Sequence, residues 1–381
     1  MPRLSLRHTS MPASAPPPGH GRLPVARPFM PTTEALIPYL ESIERSGWYS
    51  NFGPLNHALE GRLAARFPKD TRVVTVANAT LGLTACLRAL DLPAGSLCAV
   101  PSWTFVATVH AVVQAGLTPW FVDVREDTWM LDLETFAAQL QYAPGSVSAV
   151  IPVCAFGQRL DLDAWTAFDR QGPTRVIIDA AAAYDVVNTA DIPVVVSLHA
   201  TKALGAGEGG FVACQDRAFV ERVRSITTFG FDGTRESLYL GGNSKISEYT
   251  AAVAMAAMDA WATTRQAYQR PAQRLRILTM NTPLDFQPGW GLDWISSVCV
   301  ANVGDGRSAE IAAALIAQGV ETRMWWGLGC HRSRAFLDFP KTPLPVTEKL
   351  AGATLGLPYF GGMDDADVMR LAAALGAVLQ G

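Results

Sequence analysis

The sequence predicts an α/β protein: a large domain built on a mostly parallel, seven-stranded sheet between helices, followed by a smaller α+β domain at the carboxyl end. Three observations carry this expectation. Between residues 73 and 214, short continuous apolar runs alternate with helix-length amphipathic ones, the pattern of strands buried on both faces by the helices that connect them. Beyond about residue 215 the alternation gives way to a long alanine- and methionine-rich stretch and then to shorter, mixed elements. A chain of 381 residues, 49% apolar and 17% charged, is long enough for one large core and a second, smaller one.

The elements follow in order. Residues 1–27 carry Arg3, Arg7, Arg22 and Arg27, no acid precedes Glu34, and Pro16-Pro17-Pro18 interrupts regular structure, so this segment is expected to be a disordered basic tail. It lacks the continuous apolar core of a secretory signal; a transit peptide, or an upstream start codon before Met11 or Met30, are the alternatives. The large domain is expected over 28–262, with 28–60 free to pack on the small domain, which takes 263–381. Strands are expected at 73–76, 97–100, 120–124, 149–153, 176–178, 194–196 and 210–214, each short and apolar. Helical spacing between them is clearest over 81–90 and 105–114. An apolar helix at 251–261 and a polar one at 265–276 lead into a strand at 298–302 and helices at 309–317 and 366–378. There are no internal repeats.

Composition excludes several classes. A net charge of -3 gives no basic field, so nucleic acid is not an expected partner. No apolar run approaches the roughly 20 residues a spanning helix needs, so no membrane is expected either. The six cysteines are scattered with no Cys-x-x-Cys pair or histidine ligand pattern, which points to reduced, buried thiols in the cytoplasm and to no metal.

In open α/β sheets, ligands bind beyond the carboxyl ends of the strands. Two residues placed there define a chemistry: Asp179, closing the run Val176-Ile177-Ile178, and Lys202, in the segment that follows Val194-Val195-Val196. An amine that condenses with an aldehyde, together with a carboxylate that keeps a pyridine nitrogen protonated, is what a pyridoxal phosphate (PLP) site requires. Asn78-Ala79-Thr80 precedes a helix start, where the Thr80 hydroxyl and the Leu81 amide can take a phosphate together with Ser197; a plain helix cap is the alternative. Ser102-Trp103-Thr104-Phe105 puts two aromatics at another strand end, with Phe105 the choice for stacking on the cofactor ring and core packing the alternative. Gly205-Ala206-Gly207-Glu208-Gly209-Gly210 also spells the dinucleotide fingerprint, but it runs into an apolar strand instead of opening a helix, so a tight turn is expected.

Taken together, these residues resemble the DegT/DnrJ/EryC1/StrS sugar aminotransferases, PLP-dependent enzymes of transferase fold type I. The resemblance runs from about Pro28 to the end. It also rests on Asn51-Phe52-Gly53-Pro54, the run from Pro101 to Thr108, Phe121-Val122-Asp123-Val124, Phe156-Gly157 with Asp161, and Gly241-Gly242-Asn243-Ser244-Lys245-Ile246-Ser247-Glu248. It implies that Lys202 forms the imine with the cofactor, that Asp179 meets the pyridine nitrogen, and that Ala79, Thr80, Leu81 and Ser197 surround the phosphate. It further implies a homodimer in which Asn243 and Lys245 reach the neighbouring subunit's cofactor. Arg323 and His331 become candidates for contacts to a nucleotide sugar. The implied reaction moves an amino group from an amino acid, glutamate first, to carbon 4 of a 4-keto-6-deoxy sugar nucleotide, with carbon 3 the alternative.

The sequence departs from the family's pattern at Ala182, where a glutamine usually donates to the cofactor's phenolic oxygen, at Ala79 in place of a glycine, at Cys154 in place of a frequent histidine, and at Trp325-Trp326 in place of smaller aromatics. Two other readings stay open at this level. A sugar dehydratase of the same fold would typically replace the lysine by histidine, which Lys202 opposes. A non-catalytic regulatory protein that kept the cofactor fold is the other, and Ala182 is what favours it.

Overall fold

The structure, a computed structural model, describes residues 21–379. Helix α1 (Thr33–Ser46) is capped by the Thr32 hydroxyl and ends where Gly47 turns left-handed at φ 62°, a conformation that carries no steric cost without a Cβ. Helix α2 (Pro54–Ala64) starts on a proline, whose missing N–H is no loss at that position.

The large sheet then builds by alternation: β1 (Arg72–Val76), α3 (Ala79–Ala89), β2 (Leu97–Pro101), α4 (Val106–Gln114), β3 (Thr118–Val122), α5 (Leu133–Gln139), β4 (Val147–Val150), α6 (Leu162–Gln171), β5 (Arg175–Val176), β6 (Ile178–Asp179), β7 (Val194–Ser197) and β8 (Gly210–Cys214). Two four-stranded halves, β1-β8-β7-β6 and β3-β2-β4-β5, share one interrupted strand, because β5 and β6 are separated only by Ile177. Across that joint the Asp179 amide donates to Pro152 and the Cys154 amide to Asp179, so the sheet continues. All pairings are parallel except those of β8, which runs antiparallel to β1 and β7. The sequence places the third and fourth strands at 120–124 and 149–153; the paired segments begin two residues earlier because Thr118 and Val147 already pair with Leu97.

Helix α7 (Arg217–Thr227) covers the sheet, and α8 (Glu248–Asp259) and α9 (Trp261–Leu278) carry the chain away, joined at Ala260. Beyond them, β9 (Asp285–Phe286), β10 (Cys299–Asn302) and β11 (Thr354–Leu357) form a three-stranded antiparallel sheet in the order β11-β10-β9, accompanied by α10 (Ser308–Ala317), α11 (Pro345–Ala353) and α12 (Asp365–Leu379). Asp123, just past β3, ties the two sheets' layers together: its carboxylate accepts from the amides of Val346 and Thr347 and from the Thr347 hydroxyl, capping α11. Among the described residues no helix is long and apolar enough to cross a membrane.

One expectation about the amino-terminal region changes. Residues 21–27 do not behave as part of a free tail. Leu23 and Val25 are buried, Leu23 exchanges backbone hydrogen bonds with Gly319 and Glu321, and Val25 accepts from the Tyr359 amide while Arg27 lies over the Phe360 ring. Two apolar side chains in a short run supply the burial that the surrounding charge concealed; residues 1–20 lie outside the described residues. In the segment 28–60, α1 and α2 pack on α8 and β1, and Phe29 reaches Tyr268 and Gly361 of the carboxyl-terminal part.

Candidate active site

A cavity of about 670 Å3 opens at the carboxyl ends of the parallel strands. The sequence-predicted residues Ala79, Thr80, Leu81, Phe105, Asp179, Ser197 and Lys202 all line it, as does Ala182. Asp179 sits at its floor, 6% exposed, at the end of β6. The Thr108 hydroxyl donates to its Oδ2 at 2.7 Å and the Ala181 amide to its Oδ1 at 3.0 Å, and Thr108 is held in turn by Thr104 at 3.0 Å. Burial pushes the Asp179 carboxyl up from its ordinary value, while these two donors and the charge of Lys202 pull it down. Thr104 and Thr108 escaped the sequence reading as site residues. The only signal was a pair of threonines four apart across the start of α4, a spacing that puts both on one face.

Lys202 follows β7 in the hairpin that leads to β8, where its amide donates to His199. Among the described residues its Nζ makes no hydrogen bond or ion pair. Burial lowers its pKa and Asp179 opposes that, so a larger fraction of the amine is neutral than at a surface lysine, available as nucleophile and proton acceptor. The glycine run after it is the expected turn: Gly207 has φ +86°, Ala200 donates to Gly207 and Leu198 to Gly209, and Gly210 enters β8. A Cβ at Gly210 would press on the Val196 carbonyl and the Ala79 amide, which is why only glycine lets β8 pass the start of α3.

At that start the phosphate expectation is partly corrected. Asn78 caps α3, its Oδ1 accepting from the Leu81 amide at 2.9 Å, so the Leu81 donor is already used. The Ala79 and Thr80 amides have no acceptor among the described residues, and the helix dipole favours an anion there. Ser197 accepts from the His199 amide at 3.2 Å and keeps its own proton to donate. Free amides, a hydroxyl, an unpaired half-buried lysine and a hydrogen-bonded carboxylate thus converge on one cavity, and they fit a flat, phosphate-bearing aldehyde with a basic ring nitrogen.

The opposite wall is aromatic. Phe156, strained at φ +54°, stacks on Trp326 with centroids 3.8 Å apart and planes 14° apart, and Trp103 meets Trp326 edge-on at 5.4 Å. Trp325 completes this wall, and Phe105 stands at the rim, 58% exposed. Cys154 also faces the cavity, but burial and then Asp179 push its thiol up to about 12, so it is no thiolate nucleophile. The six cysteines are all buried and free.

Four predicted residues lie apart from the cavity. Asn243 and Lys245 are on an outer loop, Lys245 Nζ donating to Asn243 Oδ1 at 2.6 Å and lying 5.2 Å over the exposed Phe229 ring. Arg323 is exposed beside the aromatic wall, its guanidinium 4.8 Å over Trp325. His331 is placed behind the wall: it is 4% exposed, its Nδ1 lies 2.7 Å from the buried Ser102 hydroxyl, and it does not line the cavity. Ala26 does line it, brought there by the docking of residues 21–27.

Comparison with known proteins agrees with this geometry. The family model described as the DegT/DnrJ/EryC1/StrS aminotransferase family matches residues 32–376. A crystal structure of a putative PLP-dependent aminotransferase from Bacillus cereus ATCC 10987 is similar at TM-score 0.87 and 28% identity, over 93% of this chain and 100% of that one. DesI, crystallised in the presence of its TDP-sugar product, is similar at TM-score 0.82 and 30% identity, over 93% of this chain and 92% of that one. Among curated proteins, Protein Mb3436c of Mycobacterium bovis (strain ATCC BAA-935 / AF2122/97) is 26% identical over 372 residues, 93% of this chain and 89% of its own length.

Proposed function

Since the chain belongs to the DegT/DnrJ/EryC1/StrS aminotransferase family, we propose that it carries an amino group from glutamate to carbon 4 of a nucleotide-linked 4-keto-6-deoxyhexose. The broader activity is that of a PLP-dependent transaminase. The observation that carries the reading is the meeting of Lys202 and Asp179 in one cavity that ends at the open amino terminus of α3.

Bound PLP supplies an electrophilic aldehyde carbon and a pyridinium ring that accepts electrons. The protein's residues supply the rest. Asp179 would meet the ring nitrogen and keep it protonated, and Thr108 and the Ala181 amide favour the ionised form of Asp179 against its burial. The Ala79 and Thr80 amides and the Ser197 hydroxyl would hold the phosphate, and Phe105 would cover the ring. Lys202 Nζ anchors the cofactor, takes the proton from the amino acid's α-carbon, and in the second half returns a proton to the sugar carbon that bears the new amine. The aromatic wall excludes water and gives an apolar surface for a deoxysugar ring.

The nucleotide-sugar acceptor is supported by the likeness to DesI, whose structure contains its TDP-sugar product, and by the Gly-x-Asn-x-Lys-x-Ser-Glu run. Arg323, beside Trp325, is the cation proposed for the nucleotide end. The protein is proposed to work as a homodimer. Trp48, Tyr49, Tyr249, Phe229, Leu238 and Leu240 are exposed, and the segments that bear them adjoin one another around Asn243 and Lys245, an apolar surface of the kind that subunits cover.

The test is direct. Glutamate added to the purified holoprotein shifts the cofactor's visible absorbance, and a panel of 3-keto and 4-keto sugar nucleotides, read by mass, gives amine only on the 4-keto members. Turnover of 3-keto substrates alone would overturn the carbon-4 assignment, and an unmoved spectrum would overturn the donor. Lys202→Ala is expected to lose at least roughly a thousandfold in turnover, since both anchor and proton carrier are removed.

A further inference from the structure

The aromatic wall of the cavity belongs to a loop fixed at two points. At one end, Arg323 and Gly356 of β11 exchange backbone hydrogen bonds at 3.0 and 2.8 Å, and Gly356 has no side chain because the Trp325 indole occupies that space. At the other end the loop is pinned to the carboxyl end of β2. The Cys330 amide donates to the Ser102 carbonyl at 2.8 Å, the Cys330 thiol to the Thr104 carbonyl at 3.1 Å, and the His331 amide to the Ser102 hydroxyl oxygen at 3.2 Å. The Ser102 hydroxyl, fully buried, then has one proton to give and His331 Nδ1 at 2.7 Å to receive it. This assigns His331 the neutral tautomer with its proton on Nε2, which faces Glu348 Oε1 at 3.6 Å. Ser102 also opens the segment that carries Trp103 against Trp326, Thr104 against Thr108, and Phe105 on the cavity rim.

We infer that Ser102 and His331 are positioning residues for the acceptor half of the reaction, holding the Trp325–Trp326 wall in register with the strand end that bears Phe105. Neither touches the cavity; both act through the groups they hold. The inference rests on the transaminase reading and assigns the acceptor, not the amino donor, to this wall.

It also fixes a pH response. A proton on Nδ1 turns the acceptor for Ser102 into a donor and breaks the clasp. Burial holds the His331 pKa below the ordinary histidine value, with Arg332 and Lys341 acting in the same direction and Glu348 of α11 against them. The clasp is therefore intact at neutral pH and is lost only as pH falls through that lowered value.

The experiment compares wild type with Ser102→Ala, His331→Leu and His331→Asn, the last keeping an acceptor oxygen near the place of Nδ1. Hydrogen–deuterium exchange of the holoproteins is expected to show residues 324–332 exchanging faster in the alanine and leucine variants and near wild type in the asparagine variant. In kinetics, the KM for the keto-sugar is expected to rise roughly ten- to a hundredfold in the first two variants, while the rate of the glutamate half-reaction changes less than about threefold. The rise in acceptor KM at low pH disappears in His331→Asn. Unchanged exchange and acceptor KM in folded variants would overturn the inference, as would an equal loss in the glutamate half-reaction. Should the alanine or leucine variant fail to fold, a His331→Asn protein with wild-type acceptor KM at neutral pH but the same acid limb would overturn it as well. The absorbance response of wild type to glutamate tests the transaminase reading separately.

Discussion

Burial raises the pKa of Asp179 and lowers that of Lys202, and the neighbours of each oppose the shift. For Asp179 the deciding partner is Thr108, whose hydroxyl donates to the ionised form at 2.7 Å. Removing that donor in Thr108→Val leaves the carboxyl with the Ala181 amide and Lys202, so its pKa moves further up. A larger fraction is then protonated at a given pH, and the acid limb of the kcat profile is expected to move to higher pH, with a loss of roughly tenfold or less at neutrality. A limb that stays in place would mean that Asp179 is not the group titrating. The aspartate and the lysine were legible because their chemistry is specific and each closes or follows an apolar run. Thr108 was not, because a threonine in a helix pattern has many uses and its partner is 71 residues away. His331 shows the opposite case: its residue type suggested a ligand contact, whereas its partner, 229 residues distant, makes it part of the scaffold.

At the level of elements, the run that ends in Ser247-Glu248 has a role that no local pattern shows. Glu248 opens α8 but is buried, and its two oxygens accept from the Leu55 and Asn56 amides at 2.7 and 2.9 Å, closing the amino terminus of α2. Glu248→Gln puts an amide NH2 against one of these donors and is expected to cost about 1–3 kcal/mol, read as a lower unfolding midpoint in denaturant with the m-value unchanged. Gly82 on α3 is similarly constrained: an added methyl would lie 2.9 Å from Val195 and 3.1 Å from Val76. Gly82→Ala is therefore expected to shift α3 off the sheet, destabilise by about 1–3 kcal/mol, and weaken PLP binding, because the free amides of Ala79 and Thr80 sit on that helix. Titration of the apoprotein with PLP, followed by absorbance, checks the second effect; unchanged affinity would separate α3 from the phosphate. Most strands and the helices flanking them were readable from apolar spacing. The break at Ile177 and the two-residue offsets of β3 and β4 were not, since strand ends are set by the partner's register.

For the molecule as a whole, the exposed apolar residues from Trp48 to Tyr249 and along the 228–243 loop predict a dimer. Leu240, 89% exposed, is its most open member. Leu240→Asp is expected to raise the monomer fraction in sedimentation equilibrium and to lower activity with it, as the outer loop bearing Asn243 and Lys245 would no longer meet a second cavity. A wild-type protein that sediments as a monomer at micromolar concentration would refute the shared site. The sequence by itself determined the alternation of strands and helices, the cofactor, and the family, because each is written in residue types at short spacing, where backbone periodicity and side-chain chemistry act locally. Tertiary structure alone decided that Asn78 takes the Leu81 amide, that Thr108 governs Asp179, that residues 21–27 dock beside the cavity, and that His331 clasps Ser102. Those outcomes depend on which distant groups arrive within hydrogen-bond reach once the sheet has closed and water has been excluded.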